Sequence, residues 1–109
     1  MNKRLVIAAA YAFTLGLVAA AQAATTVTVS QHGMTLSKTS ATISRGDKIV
    51  FTNEDDIIHN IHIFGPGDFD KDLGLQKPGA TLSYVFDKAG SARVRCNIHP
   101  SVKMTVTVN

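Results

Sequence analysis

The sequence has 109 residues, with eleven basic and eight acidic side chains and a formal net charge of +3. Two of the basic residues, Lys3 and Arg4, belong to an N-terminal segment with the pattern of an export signal, and without them nine basic residues face eight acidic ones. The remaining chain has neither a basic stripe nor an aromatic stacking surface, which argues against a nucleic-acid partner.

The first predicted element is a cleavable secretory signal over residues 1–23. Met1-Asn2-Lys3-Arg4 forms a short basic head, residues 5–20 are apolar or small apart from Thr14, and Ala21-Gln22-Ala23 supplies a small-x-small cleavage site. The apolar run is shorter than the roughly 20 residues that span a bilayer, which argues against a retained membrane anchor. We therefore expect a single exported, periplasmic domain over residues 24–109, with no membrane attachment after cleavage.

The exported part is predicted to consist of short strands separated by turns. Alternating or β-branched segments favour strands, and they lie at residues 25–30, 41–44, 48–53, 57–64, 80–86, 91–95 and 103–108. Gly- and Pro-containing turns separate several of them. Residues 65–79 form the longest stretch without strand character, which predicts a connection along one edge of the sheets.

The spacing of these strands predicts an all-β fold. No segment of the exported part shows a sustained period of 3.6, and strands recur about every ten residues, which is typical of an antiparallel sandwich or barrel. The acidic run Glu54-Asp55-Asp56 is interpreted as a solvated turn between two strands.

The strongest chemical signal surrounds the single cysteine, Cys96. A lone thiol in an exported protein forms an intermolecular bridge, lies buried or binds a metal. Cys96-Asn97-Ile98-His99 places a thiolate and an imidazole three positions apart on a loop between two predicted strands, and His59 offers a second imidazole from an earlier strand. Two imidazoles and one thiolate suit copper in both of its oxidation states, so the pattern predicts a copper site.

These residues carry a resemblance to the plastocyanin, pseudoazurin and amicyanin group of cupredoxins. The matching pieces span nearly all of residues 24–109, and they are Phe51-Thr52-Asn53, His59-Asn60, Tyr84-Val85-Phe86 with Gly90, Cys96-x-x-His99-Pro100 and a closing Val-Thr-Val strand. The Cys-Asn-Ile-His loop is also similar to small copper proteins described as methylamine-utilisation proteins.

The resemblance implies a Greek-key β-sandwich of about seven to eight strands with one type 1 copper ion, cycling between Cu(I) and Cu(II). It makes His59, Cys96 and His99 the equatorial ligands and Asn60 a residue that ties the first ligand strand to the Cys96 loop. It implies a monomeric one-electron carrier rather than an enzyme. The expected redox partner is an exported c-type cytochrome or dehydrogenase, contacted through an apolar surface of Ile98, Pro100 and Val102 around His99.

The axial ligand is open between two residues. Family members carry a methionine either two or four intervening residues after the loop histidine, and Met104 fits the longer spacing. The His99-Pro100 start fits the shorter, amicyanin-type loop, in which Val102 takes the axial position and Met104 belongs to the core. Met104 is the residue predicted as the axial ligand, because Val102 leaves no other sulfur nearby.

Two other histidines and two other functions compete with this prediction. Alternation along an extended strand places His62 on the face opposite His59, which makes it a poor fourth ligand, and His32 is interpreted as a solvated side chain.

The alternative function is copper delivery, storage or resistance in the periplasm. A third possibility is a structural module in which Cys96 and His99 are neighbours by chance.

Overall fold

The computed structural model describes residues 23–109, so the signal predicted over residues 1–23 lies almost wholly outside the described part. Within these residues the strands are β1 (Thr26–His32), β2 (Thr35–Leu36), β3 (Ser40–Ile43), β4 (Asp47–Asn53), β5 (His59–Gly65), β6 (Phe69–Gln76), β7 (Thr81–Phe86), β8 (Gly90–Arg95) and β9 (Lys103–Val108). No helix within these residues is long and apolar enough to cross a membrane.

The strands form two sheets that pack face to face as an all-β sandwich, as predicted. One sheet has the order β2-β1-β4-β7 and the other β3-β9-β8-β5-β6. The chain changes sheet after β2, β3, β4, β6 and β7. The predicted antiparallel sandwich differs from the structure in one respect, because β1 pairs with β4 and β3 with β9 in parallel. Both parallel pairs join strands whose connection crosses to the other sheet, so neither is constrained by a hairpin turn.

The core lies between the two sheets and extends to the end where the predicted ligands are found. Inward-facing side chains of β4, such as Ile49 and Phe51, are fully buried, and so are Ile61 and Ile63 of β5 and Val94 of β8. Successive side chains of a strand point to opposite faces, so the residues two positions before and after a buried residue also point inward. The sandwich therefore determines the orientation of every ligand carried on a strand.

The largest error of the sequence prediction concerns residues 65–79, which contain the eight-residue edge strand β6 rather than a connection without strand structure. Among the nine described strands, β6 pairs only with β5. The register shifts where Ile61 lies opposite Gly74 and His62 opposite Asp72. Gly74 has a φ of +95°, a backbone conformation that glycine adopts without strain. A glycine inside a strand often marks such a bulge, and here it conceals the strand in the sequence.

At one end of the sandwich, the carboxylate of Asp47 holds two chain segments together. Its oxygens accept hydrogen bonds from the backbone N–H of Thr25 and of Ser44, each at 2.9 Å. These two bonds hold the pKa of Asp47 below its ordinary value, because they stabilise the ionised form.

This lowered pKa predicts a loss of stability in acid. A carboxyl group whose pKa is lower in the folded state contributes stability that is complete above its unfolded pKa of about 4 and is lost as the pH falls through the folded value. We expect Asp47→Asn to lower the melting temperature at pH 7 and to reduce the decline in melting temperature between pH 5 and pH 2. Thermal unfolding across that range is the measurement, with the exposed Asp87→Asn as control. An unchanged acid profile in Asp47→Asn would contradict the prediction.

Candidate metal centre

Three of the four predicted ligands converge at one end of the sandwich. One ring nitrogen each of His59 and His99 and the Sγ of Cys96 all lie within 4.8 Å of one another. The Nδ1 of His99 is 3.7 Å from the Cys96 Sγ, and the two imidazole rings meet edge to face with centroids 4.9 Å apart. Cys96 and His99 follow His59 by 37 and 40 positions along the chain, so only the fold brings the three donors together.

The alternation of β8 directs Cys96 inward. Ala92 and Val94 of β8 are fully buried, and Cys96 follows them in the same alternation and is fully buried too. A backbone hydrogen bond from Cys96 N–H to the Val102 carbonyl closes the loop at 3.0 Å, and Val102 N–H donates to the His99 carbonyl at 2.9 Å. The loop is therefore a short, internally bonded hairpin that returns His99 to the thiol.

His59 opens β5 and points into the core. It is fully buried, and the alternating residues Ile61 and Ile63 are fully buried on the same face, as the sequence predicted. Among residues 23–109, the Nδ1 of His59 is buried without a hydrogen-bond partner. Buried polar atoms are almost always bonded, so such a nitrogen calls for an explanation. A metal ion at the point where the three donors meet supplies one.

The other ring nitrogen of His59 is held by Asp55, a residue that sequence reasoning missed. The His59 Nε2 lies 2.7 Å from the Asp55 Oδ2. The Asp55 carboxylate also accepts hydrogen bonds from the backbone N–H of Gly33, at 2.6 Å, and of Met34, at 3.3 Å. The interpretation of Asp55 as part of a solvated turn is therefore corrected, because the residue anchors the β1–β2 turn to His59.

The electrostatic environment keeps Asp55 ionised. Burial raises its pKa, but the hydrogen bond with His59 and those from the Gly33 and Met34 backbone outweigh burial and leave the pKa below its ordinary value. A carboxylate on Nε2 places the ring proton there and leaves Nδ1 with a free lone pair. Asp55 lies four residues before His59 in the sequence. This spacing indicates the contact between the two side chains only once the turn between β4 and β5 is known.

Asn60 ties β5 to the cysteine loop, in agreement with the role that the resemblance implies. Its backbone N–H donates to the Cys96 Sγ at 3.3 Å, and its side-chain Oδ1 accepts a hydrogen bond from the backbone N–H of Asn97. The side-chain Nδ2 donates to the Asp72 carboxylate of the neighbouring strand at 3.1 Å. Asn60 thereby fixes the distance between the strand that carries His59 and the loop that carries Cys96.

The fourth predicted ligand, Met104, lies on the buried face of β9 and is paired with Val94. The hydrogen bond between Cys96 and Val102 places Val102 across from Cys96, two residue pairs nearer to the site than Met104. Directly opposite side chains have Cβ atoms about 5 Å apart, whereas diagonal neighbours are about 7–8 Å apart and meet only through long side chains. An axial role for Met104 requires the diagonal reach of its thioether, and it stays a prediction.

The two remaining histidines lie outside the group of three donors. His62 is on the outer face of its sheet, where Nδ1 is 3.3 Å from the Asn97 Oδ1 and Nε2 is 3.0 Å from the Asp70 carboxylate. The side chain of His32 is 80% exposed, in agreement with its interpretation as a solvated residue.

The donors at this centre fit copper. A thiolate and two imidazoles form the trigonal set of blue-copper electron-transfer sites, in which an axial donor is weak and distant. Burial of Cys96 and His59 removes water from the centre. The hydrogen bond that Asp55 accepts from His59 and the one that Asn60 donates to Cys96 orient the donors before any ion binds.

Comparison with known proteins agrees with this donor set. Residues 23–109 match the family model described as copper binding proteins, plastocyanin/azurin family. The chain is 33% identical over 103 residues to the methylamine utilization protein MauL of Methylorubrum extorquens, a match that covers 94% of this chain and 90% of the relative. It is 35% identical over 66 residues to MauL of Methylophilus methylotrophus, covering 59% of this chain and 38% of that one.

Solved structures agree on the fold. The Cu(I) form of an amicyanin mutant has a TM-score of 0.69 at 21% identity, covering 76% of this chain and 81% of that chain. A purple cupredoxin from Nitrosopumilus maritimus has a TM-score of 0.68 at 21% identity, covering 76% of this chain and 99% of that chain. Together with the family match over all described residues, the donor geometry leads to one conclusion: this chain belongs to the plastocyanin/azurin family of copper-binding proteins.

Proposed function

We propose that this protein is a periplasmic one-electron carrier in which His59, Cys96 and His99 hold a single copper ion. The observation that carries the proposal is the convergence of the three donors around the unpartnered Nδ1 of a fully buried histidine. Copper at this centre would supply a reversible one-electron couple between Cu(I) and Cu(II).

The residues around the centre are suited to electron transfer rather than to catalysis. The Cys96 thiol and the His59 ring are fully buried, so no side of either donor is presented to a substrate in solvent. Asp55 holds the His59 ring and Asn60 the thiol, which limits how far the donors move when the charge at the centre changes. Rigid donors keep the reorganisation that accompanies gain or loss of an electron small.

The electron path to the surface is proposed to run through His99. His99 is only partly buried, and its neighbour Ile98 is 49% exposed. Val102 was predicted to belong to the apolar surface, but it is fully buried, because it lies across from Cys96 inside the loop. The apolar surface around His99 is therefore built from Ile98 and Pro100 without Val102.

The cellular setting is part of the proposal. The export signal expected over residues 1–23 supports a periplasmic location, and the match to proteins named for methylamine utilization supports a role in that process. The proposed partner is an exported c-type cytochrome or dehydrogenase, and a monomer is the form in which we expect the carrier to act.

Optical and EPR spectra of the Cu(II)-loaded protein, followed by voltammetry, test the function. We expect an intense thiolate-to-copper charge-transfer band, a narrow copper hyperfine splitting and a reversible one-electron couple. Copper that binds with the weak spectrum of an ordinary Cu(II) site and exchanges readily would favour copper delivery, storage or resistance. Failure to bind copper, with Cys96 still reactive toward thiol reagents, would leave a structural module.

A substitution at Asp55 tests whether the carboxylate prepares His59 for the metal. We expect Asp55→Ala to lower the affinity for Cu(II) by about 10- to 100-fold, because residues that orient a ligating histidine contribute to affinity by this amount. Competition with a copper chelator of known affinity is the measurement. The exposed neighbour Asp56→Ala is the matched control, since it removes the same charge without contacting His59. An equal loss of copper affinity in both variants would mean that the effect comes from the overall charge of the protein and not from the contact with His59.

A further inference from the structure

Three cationic side chains lie close together on the outer face of the five-stranded sheet β3-β9-β8-β5-β6. Arg93 and Arg95 of β8 and Lys103 of β9 are exposed, and strand register places Lys103 directly opposite Arg95. Arg93 lies two residues from Arg95 and therefore on the same face. Like charges directly opposite in a sheet are destabilising, so the protein keeps this arrangement at a cost to its stability.

No carboxylate of the described chain forms an ion pair with these cations. Across residues 23–109, none of the three forms a salt bridge. The carboxylates on the same face belong to β6 and are engaged elsewhere: Asp70 pairs with His62, and Asp72 accepts from Asn60 and from the Gly74 backbone. The positive charge of the three side chains is therefore available to an outside partner.

The cations line a groove that reaches the metal-binding loop. The groove has a volume of about 610 Å³. Its walls include Arg93, Arg95 and Lys103 together with Pro100 and Ser101, which directly follow His99 in the loop. A partner seated in the groove would thus touch the loop that carries two of the three metal donors.

Arg95 is held in place by two contacts with its neighbours. Its guanidinium lies over the Phe64 ring, 4.8 Å from the centroid, and its Nε donates to the Asn97 Oδ1 at 3.2 Å. Asn97 follows Cys96, and its backbone is bonded to Asn60. These contacts leave the terminal nitrogens of Arg95 for an external acceptor, and they order the side chain before a partner arrives.

We propose that this groove docks a carboxylate-rich surface of the redox partner. The inference rests on the proposed electron-carrier function and adds the chemistry of the partner. Guanidinium groups match carboxylates with two parallel hydrogen bonds, and Lys103 adds a further positive charge. Complementary charge steers association and fixes orientation, which is what a short-lived redox complex needs. The apolar surface around His99 lies beside the groove and would be covered in the same complex.

Titration of the copper-free protein with a decaglutamate peptide tests the groove without using electron transfer. We expect chemical-shift changes confined to β8, β9 and the 97–101 loop, with affinity falling as salt is added. The double variant Arg93→Glu/Lys103→Glu is expected to weaken binding at least tenfold. The matched control is Arg45→Glu/Lys48→Glu, which carries the same change of charge beside the far end of β9, where Arg45 bonds Asn109.

The outcomes separate this inference from the proposed function. Equal weakening in both double variants, or equally tight binding of decathymidylate, would overturn a specific carboxylate site. In the copper-loaded protein we expect both variants to keep the charge-transfer band. Oxidation of the reduced protein by hexacyanoferrate(III) should slow at least tenfold more in Arg93→Glu/Lys103→Glu than in the control. Absence of the charge-transfer band in the copper-loaded wild-type protein would instead contradict the proposed function. It would not affect the result of the peptide titration, which uses the copper-free protein.

Discussion

Cys96→Ser is expected to abolish the visible charge-transfer band of the copper-loaded protein completely. The band requires a thiolate sulfur bound to Cu(II), and Cys96 is the only cysteine of the chain. The variant would retain the loop, because the backbone hydrogen bonds of Cys96 and Val102 do not involve the side chain. The measurement is the optical spectrum after addition of one equivalent of Cu(II), with circular dichroism to show that the variant is folded.

His62→Ala is the control for this substitution. His62 is a histidine close to the loop that does not join the three donors, and it contacts Asn97 and Asp70 on the outer face of the sheet. We expect its removal to leave the band in place. A band that persists in Cys96→Ser would contradict the ligand assignment, and a band lost in His62→Ala would extend the centre to the outer face.

If Val102 rather than Met104 lies at the axial position, Val102→Met is expected to lower the reduction potential. Val102 lies across from Cys96 in the hairpin, so a methionine there places a thioether beside the thiolate. An axial sulfur donor stabilises Cu(II) relative to Cu(I), because it adds electron density to the more highly charged ion. Voltammetry of the variant and the wild type under the same conditions is the measurement. An unchanged potential would mean that position 102 does not face the metal.

Met104→Leu completes this comparison, because it removes the sulfur predicted as the axial donor and keeps a side chain of similar volume. A rise in potential would confirm Met104 as the axial ligand, reached by diagonal extension from its place opposite Val94. An unchanged potential and spectrum would assign Met104 to the core face of β9, with Val102 as the residue nearest the axial position.

Two neighbouring surfaces near the metal-binding loop are expected to play different roles in contact with a partner. The apolar surface of Ile98 and Pro100 surrounds His99, whereas Arg93, Arg95 and Lys103 line the groove beside it. An apolar contact over His99 favours a close approach but gives little orientation. A charged contact at one side supplies orientation and a dependence on ionic strength.

Much of the fold and three of the donors were predictable from local pattern. Alternation of β-branched and polar residues identified most strands, and the short spacing between Cys96 and His99 on one loop identified two donors. His59 was predicted because it offers an imidazole from an earlier strand. Alternation along that strand separated it from His62, and the burial of His59, Ile61 and Ile63 confirms that separation. Such signals depend on neighbouring residues, so they can be read without knowing which strands pair.

Strand β6 and the parallel pairs could not be predicted in this way. The bulge at Gly74 interrupts the alternation of β6, and its pairing with β5 depends on a hairpin whose register the sequence does not show. The parallel pairs join distant segments, such as Thr26 with Lys48, through the arrangement of both sheets.

By itself, the sequence indicated an all-β domain with a thiolate and two imidazoles suited to copper, because strand pattern and loop spacing are local properties. Only the tertiary structure decided that Asp55 holds His59, that Val102 lies across from Cys96, and that three unpaired cations border the metal-binding loop among the described residues. Each of these depends on which strands lie side by side and in what register, and in a sandwich that is settled by packing between the two sheets rather than by any single segment.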